Sequence, residues 1–580
     1  MRRAFLLVAA LLMTLLATTA CVSVPDTGPV VSADDQVRTQ PEADVERRAQ
    51  RPQEGQSAQE VVTAFLQAMT AYPVRTDVAR QFLATDARAG WDPLQKVITY
   101  ESRGSTTGSS EVKVDLLGAH WIDSRGNWRG QRETGDIRLR FPIVQEGDAF
   151  RIASAPNALI VPDDWFQDRY APASIYYLDP TARILVPEPV FVPTDQVAAA
   201  LVQRLLDEPS PALKDVVRSF VPPGLTLGLS VPVSDDGVAT VTLEGDPGPL
   251  TPEASKLMVY QFAWTLRQDE RVTTFSITIG DQPVTMEGGT SQFSVELGSE
   301  YAPYDVQASS LLFRLRGGLL ESGDSLTSAP VDGPLGQAQY GVEQVSVSLT
   351  ASLAASVSGG GTALSLSSVN DQTHPVIQVL SGATRLLTPA WDFADRMWLV
   401  DQADDGARIS VIDTSRDENR AIPVDVPGIS GKRIRTFMVS RDGTRLVAVV
   451  QGKQADTLRI SRIRYDAQGR HPEATRSRNL PWSAEDVQRI RDIGWRSVTS
   501  IGVLYQLTRD AAQVASVPVD GSSAQTNRVG LLDRGLALVA SPAPNETLYI
   551  RTPDGLADPT GSEGGTAPLP PDVSSVGYAG

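Results

Sequence analysis

The sequence predicts a multidomain chain in which two small α+β domains precede an all-β, propeller-like domain. Three observations point there. The 580 residues are too many for one hydrophobic core. Helical apolar periodicity is confined to the region before about residue 290, where it alternates with strand pairs. Beyond it, short apolar strands recur at roughly 45 to 55 residues, the spacing of propeller blades. An irregular β-sandwich is the alternative for that last region.

The first 20 residues are set apart as a signal peptide. Arg2 and Arg3 precede an apolar run from Ala4 to Ala17, and Thr18, Thr19 and Ala20 are small, as a processing site requires. The run is short for a spanning helix, which needs roughly 20 apolar residues. Cys21, the single cysteine of the chain, follows at once. Its thiolate is the nucleophile that can carry a thioether-linked diacylglycerol. The segment resembles a lipobox, with Thr18 where that motif usually has Leu, and the resemblance implies an S-diacylglycerol, N-palmitoyl cysteine at Cys21. At about 0.8 kcal/mol per buried methylene, two or three acyl chains hold a protein on a membrane almost permanently. Residues 21–55 read as a lipidated tether, because Ser32–Gln56 has almost no large apolar residue to offset its ordering entropy.

The first domain, placed at 56–160, opens on a capping box, Ser57 with Glu60, before Val61, Val62, Phe65, Leu66 and Met69 at helical spacing. A second short helix is expected from Asp77 through Leu83. Alternation then marks strands at Lys113–Leu117, Ile137–Phe141 and Phe150–Ile152. Helices followed by antiparallel strands resemble the cone-shaped NTF2-like domains.

The second domain, 172–290, has a strand pair, Ile175–Leu178 with Leu185–Phe191. A helix capped by Thr194 carries Val197, Leu201, Leu205 and Leu206 on one face. Strands Leu225–Val233 and Val238–Leu243 are joined by a turn at Asp235-Asp236-Gly237. A second helix has Thr251 as cap and Pro252 at its first position, and strand Thr274–Ile279 ends the unit. The Tyr-Tyr-Leu strand, the helix ending at Pro209, the Val238–Leu243 strand and Trp264-Thr265-Leu266 together resemble the GerMN domain. That resemblance implies a binding or scaffolding module of an envelope protein.

The third region, 291–553, is the propeller-like domain. Its clearest repeat is Ser440 to Ala448, an Asp-Gly turn between two strands, and Trp391-Asp392 matches the dipeptide of WD repeats. From Asp554 to Gly580 the chain is rich in Gly, Pro and Ser and is expected to be a flexible tail.

Charge and chemistry narrow the function. A net charge of −17 argues against a nucleic-acid binder and against a polybasic membrane-surface protein. Only six of the 52 basic residues are Lys, a sign of a GC-rich genome. The three histidines, His120, His374 and His471, fall in different blocks, and no zinc motif, nucleophile elbow or phosphate loop is present. Ser110-Glu111-Val112-Lys113 enters a strand where a Ser-x-x-Lys enzyme needs a helix. No catalytic residue, metal site or cofactor is therefore expected, and the chain reads as a non-enzyme. One local feature departs from the acidic background: nine arginines lie between Arg459 and Arg496. They form either an anchor for an acidic partner surface or anionic wall polymer, or a solvated loop between blades.

The order of lipobox, tether, α+β domain, GerMN-like domain and propeller, with the start Cys21-Val22-Ser23-Val24-Pro25, resembles the actinobacterial LpqB lipoprotein family. The resemblance implies a lipid anchor at Cys21 on the extracytoplasmic face of the cell membrane. It also implies a partner, the extracytoplasmic region of the sensor histidine kinase MtrB, and a role modulating signalling in cell-wall homeostasis and division. The alternative function is a scaffold that binds cell-wall glycan or peptidoglycan.

Overall fold

A computed structural model describes residues 50–71, 76–131, 136–286, 288–416, 419–482, 489–508, 511–522, 529–559 and 566–580. Cys21, the signal peptide and most of the tether lie outside the described residues.

The first domain begins on helix Ala58–Ala68, capped as the sequence predicts: Ser57 accepts from the Glu60 amide while the Glu60 carboxylate accepts from the Ser57 amide. The helix buries Val61, Val62, Phe65 and Leu66, with Phe65 against Trp91 and Phe141 at 5.5 and 5.9 Å between centroids. Its strands divide over two four-stranded sheets, and the NTF2-like label is not confirmed. The domain also runs past residue 160. Leu159–Pro162 pairs in parallel with Lys96–Tyr100, and helix Asp163–Arg169 buries Trp165 and Phe166.

The second domain starts with a long hairpin, Tyr170–Leu178 against Leu185–Pro193. Its turn is held by Asp179, whose carboxylate accepts from the amides of Thr181, Arg183 and Ile184. Helices Val197–Leu206 and Pro252–Leu266 pack on the hairpin and on a sheet centred on the parallel pair Val238–Leu243 and Thr274–Ile279. Thr251 caps the second helix, accepting from the Ala254 amide at 3.2 Å. Thr194 does not cap the first. Its hydroxyl donates to the Arg169 carbonyl instead, and the helix begins three residues beyond it, at Val197 after Gln196. The lower strand of the Asp235–Gly237 turn is also shorter than expected, Thr226–Leu227 only. Gln261, fully buried, donates to Tyr176 O at 3.0 Å and accepts from the Phe220 amide, which satisfies its amide inside the core. Gln292–Ser294 pairs with Thr274–Ser276, so this strand belongs to the second domain rather than to the propeller.

Six sheets then follow among the described residues. Their inner strands are Val573–Tyr578, Val342–Val347, Ala390–Trp391, Ile434–Val439, Ile490–Ser497 and Ala537–Val539, one for each of blades 1 to 6. Neighbouring blades are stitched by buried donors. The Trp391 indole N–H donates to Ser346 Oγ at 3.0 Å, and that of Trp495 to Val439 O at 2.9 Å. Asp492 of blade 5 accepts from the Leu538 amide of blade 6 at 2.9 Å.

Blade 1 corrects the expected flexible tail. Val573–Tyr578 pairs antiparallel with Leu312–Arg316, the first strand of the domain, and Gly555–Ala557 and Thr566–Pro568 pair within blade 6. The composition misled because this segment packs through small residues, such as buried Ala579 and Val573. Its partner strand, some 260 residues away, supplies the ladder bonds that a local reading cannot see.

The turn at Asp442-Gly443 is built as the sequence suggests. Asp442 accepts from Ser440 Oγ, Thr444 N and Thr444 Oγ1, and Gly443 takes the left-handed conformation with φ 71°. Asp392 of the Trp-Asp dipeptide is fully buried and accepts from Arg396 Nε and Trp398 Nε1.

Candidate functional site

The three domains meet through buried polar contacts. Asn127 of the first domain donates to Pro189 O of the second at 3.1 Å, and the Phe191 amide donates to Gly126 O at 2.8 Å. Between second and third, Arg445 donates to Pro187 O and Arg462 pairs with Glu188. Arg445 and its partner Asp442 are 3.1 Å apart with 0% and 1% of their side chains exposed. Burial and the nearby Arg462 push the Arg445 guanidinium down to about 10, so it stays charged at neutral pH.

Where the domains converge they leave a cleft of about 850 Å³. Two propeller strands supply its cationic wall. Arg462 and Arg464 share one face of strand Thr457–Arg464, and Arg476 and Arg478 stand at the same spacing on the segment paired beside it. The first domain contributes Arg129, Trp128 and His120, the second Glu188, and blade 5 Asp520.

The electrostatics follow from this crowding. Desolvation by the cleft walls lowers the Arg478 pKa, and Arg462 and Arg129 lower it further. Arg478 is held by the carbonyls of Asp520 and Val519 at 3.1 and 2.5 Å, and Arg129 by Asp123 at 2.7 Å. Burial raises the Asp520 pKa and lowers that of His120, which favours neutral imidazole. Four buried nitrogens of lining residues have no hydrogen-bond partner: Arg462 Nη1, Arg464 Nε, Trp128 Nε1 and His120 Nδ1. The first three can only donate. A buried donor left unpaired costs about 1–3 kcal/mol, so the cleft is set up for acceptors.

The sequence had marked the arginines from 459 onward but not their setting. Arg459, Arg462 and Arg464 lie on a blade strand and Arg491 and Arg496 on the next, not in a solvated loop. Arg129, Trp128 and Glu188 were missed, since nothing local in the sequence links residues so far apart. The structure does not bring the histidines together: His120 lines the cleft, while His374 is exposed 2.8 Å from Asp371 and His471 sits in an exposed turn. Among the described residues no cluster of His, Cys, Asp or Glu could hold a metal ion. No helix among them is long and apolar enough to cross a membrane.

Comparison with known proteins accounts for all three domains. The family model for the N-terminal domain of lipoprotein LpqB matches residues 51–167, and that for the LpqB beta-propeller domain matches residues 317–566. The chain belongs to the LpqB lipoprotein family. Between these matches, residues 174–285 fit a model described as sporulation and spore germination. Among relatives, lipoprotein LpqB of Cutibacterium acnes is 27% identical, covering 94% of this chain and 93% of its own. That of Mycobacterium tuberculosis is 26% identical over 92% of each. Of solved structures, the first GerMN domain of the Bacillus subtilis sporulation protein GerM is 17% identical. It covers 21% of this chain and 97% of its own, with a TM-score of 0.19. The models that match describe a lipoprotein family and its modules rather than a catalytic family.

Proposed function

We infer that this LpqB-family lipoprotein is anchored through lipid on Cys21 to the extracytoplasmic face of the cell membrane. There it binds the extracytoplasmic region of an MtrB-like sensor histidine kinase and modulates its signalling in cell-wall homeostasis and division. It acts by binding, not by catalysis. The observation that carries this reading is the cross-domain bracing by Arg445 and Arg462. Modules fixed to one another present a composite face, whereas modules on loose linkers would each bind alone. Family membership and the Cys21 lipobox support the placement of that face outside the membrane.

Calorimetric titration of lipid-free residues 22–580 into the purified kinase ectodomain tests the partnership. Saturable binding at micromolar or tighter affinity is expected. Absence of heat across several temperatures and salt concentrations, with both proteins folded, refutes it. Cys21→Ser is expected to release the chain from the membrane fraction, and retention there refutes the anchor.

A further inference from the structure

We propose that the arginine-lined cleft is a binding site for a phosphorylated saccharide. The proposal stands on the geometry of the cleft and is independent of the kinase reading.

The first argument is the mismatch between donors and acceptors. Five arginines line the cleft against three carboxyl groups, Glu101, Glu188 and Asp520. In a chain of net charge −17, such a local excess of cations works against the field of the whole molecule. Protein groups neutralise it only in part. Glu188 takes one nitrogen of Arg462, yet Nη1 of the same guanidinium is buried and unpaired, as is Arg464 Nε. A guanidinium fork with free N–H groups matches the oxygens of a phosphate or carboxylate. Several forks converging on one space suit phosphate better, since a phosphoryl group offers three acceptor oxygens and up to two charges at one centre.

The second argument is the aromatic part of the lining. Trp128 lies against His120, with ring centroids 4.8 Å apart and planes inclined at 33°, and Phe191 supports it from behind at 5.9 Å. Trp128 Nε1 is buried without a hydrogen-bond partner, and His120 Nδ1 has only the Asp163 carboxylate, 3.9 Å away. An aromatic surface with hydrogen-bonding tips suits a ligand that is apolar on its ring face and hydroxylated at its rim. Sugars have this character. A bare inorganic anion would use the arginines and leave the aromatic wall unsatisfied. About 850 Å³ falls in the range of small-molecule sites, roughly 300–1,000 Å³, and admits one or two sugar rings with their phosphate.

The same chemistry can come from the headgroup of a phosphoglycolipid or from a soluble wall polymer. Titration calorimetry on lipid-free residues 22–580 uses six probes: glucose 1-phosphate, glucose, inorganic phosphate, poly-glutamate, phosphatidylinositol vesicles and soluble inositol 1-phosphate. Saturable binding of glucose 1-phosphate, at least about tenfold tighter than glucose or phosphate alone and weakened by salt, is the expected result. Inositol 1-phosphate binding in solution supports a polymer end, and binding only on vesicles supports a lipid headgroup. Arg464→Gln with Arg476→Gln should weaken the sugar phosphate by about tenfold or more, because both line the cleft, Arg464 half-buried and Arg476 exposed. Trp128→Leu should reduce affinity for the sugar phosphate while leaving inorganic phosphate unchanged. Unaltered melting of each variant shows that the fold is kept. Three results overturn the proposal: no saturable binding of any phosphate ester, equal affinity for glucose 1-phosphate and inorganic phosphate, or capture of poly-glutamate alone. The last would assign the cleft to an acidic protein segment.

Discussion

Replacing Arg445 by methionine keeps the aliphatic stem of a fully buried side chain and deletes its charge. Asp442, 3.1 Å away and 1% exposed, then remains as a carboxylate without its counter-charge. Three donors still hold it, Ser440 Oγ, Thr444 N and Thr444 Oγ1, which places the loss toward the lower part of the range for a broken buried pair, about 3–5 kcal/mol. The Pro187 carbonyl also loses its donor across the domain border, a further loss of about 1 kcal/mol. Together these amount to about 4 kcal/mol. At about 2–4 °C per kcal/mol for a domain of this size, the propeller transition should fall by on the order of 10 °C in scanning calorimetry at neutral pH. Because the pair is shielded from solvent, the loss should persist in high salt. Asp442→Asn combined with Arg445→Met should recover more than about 1 kcal/mol of it, since the uncompensated charge is then gone. A melting temperature within about 2 °C of the native chain, or strict additivity of the two single changes, would refute the reasoning.

Three further outcomes follow from the propeller. Burial pushes Asp492 up to about 6 from the ordinary 3.8, so the native state holds a proton that the unfolded chain gives up. The stability this contributes is full below about pH 4 and is lost as pH rises to about 6, at about 1.4 kcal/mol per unit or about 3 kcal/mol in all; urea midpoints across that window should show the fall, and Asp492→Asn should flatten it. Gly443→Ala combines φ 71° with a Cβ placed 2.8 Å from Arg396 Nη2 and 3.0 Å from Asp392 Oδ2. It should cost about 2 kcal/mol or more, whereas Gly431→Ala, with φ 70° but no atom within 4 Å, should cost about half as much in the same melting experiment. Deleting Asp572–Gly580 removes the five-residue ladder to Leu312–Arg316 and the Arg551 contacts with Val573 O and Ser574 O. A loss on the order of 5 kcal/mol should make the propeller sensitive to trypsin at 25 °C, and an unchanged digestion pattern would count against closure by the last strand.

What could be read from the sequence was local in character. The Ser57–Glu60 box and the Thr251–Pro252 start work through atoms three or four residues apart, and both formed as expected. The Asp-Gly turn at 442–443 is likewise fixed by its own side chains. Thr194 failed as a cap because a tertiary acceptor, the Arg169 carbonyl, competed for its hydroxyl. The last strand failed for a related reason: Val573, Ser574, Ser575 and Gly577 carry a weak β signal, and their pairing is settled by a partner near residue 314. The cleft was half visible. The arginine run showed in composition, but the acceptor from the hairpin at Glu188 and the aromatic wall around Trp128 come from domains that the linear pattern treats as separate.

Blade 1 is assembled from the two ends of the propeller sequence, Leu312–Arg316 and Val573–Tyr578. A chain that emerges from its N-terminus can therefore finish its first two domains while the third waits for Val573–Tyr578. Until they arrive, blade 1 exposes an unpaired strand edge, the kind of template on which chains aggregate. A chain cut ahead of Val573 would thus lose no dispensable segment. It would leave a ring that cannot shut, so closure of the propeller rests on a strand laid down some 260 residues after its partner.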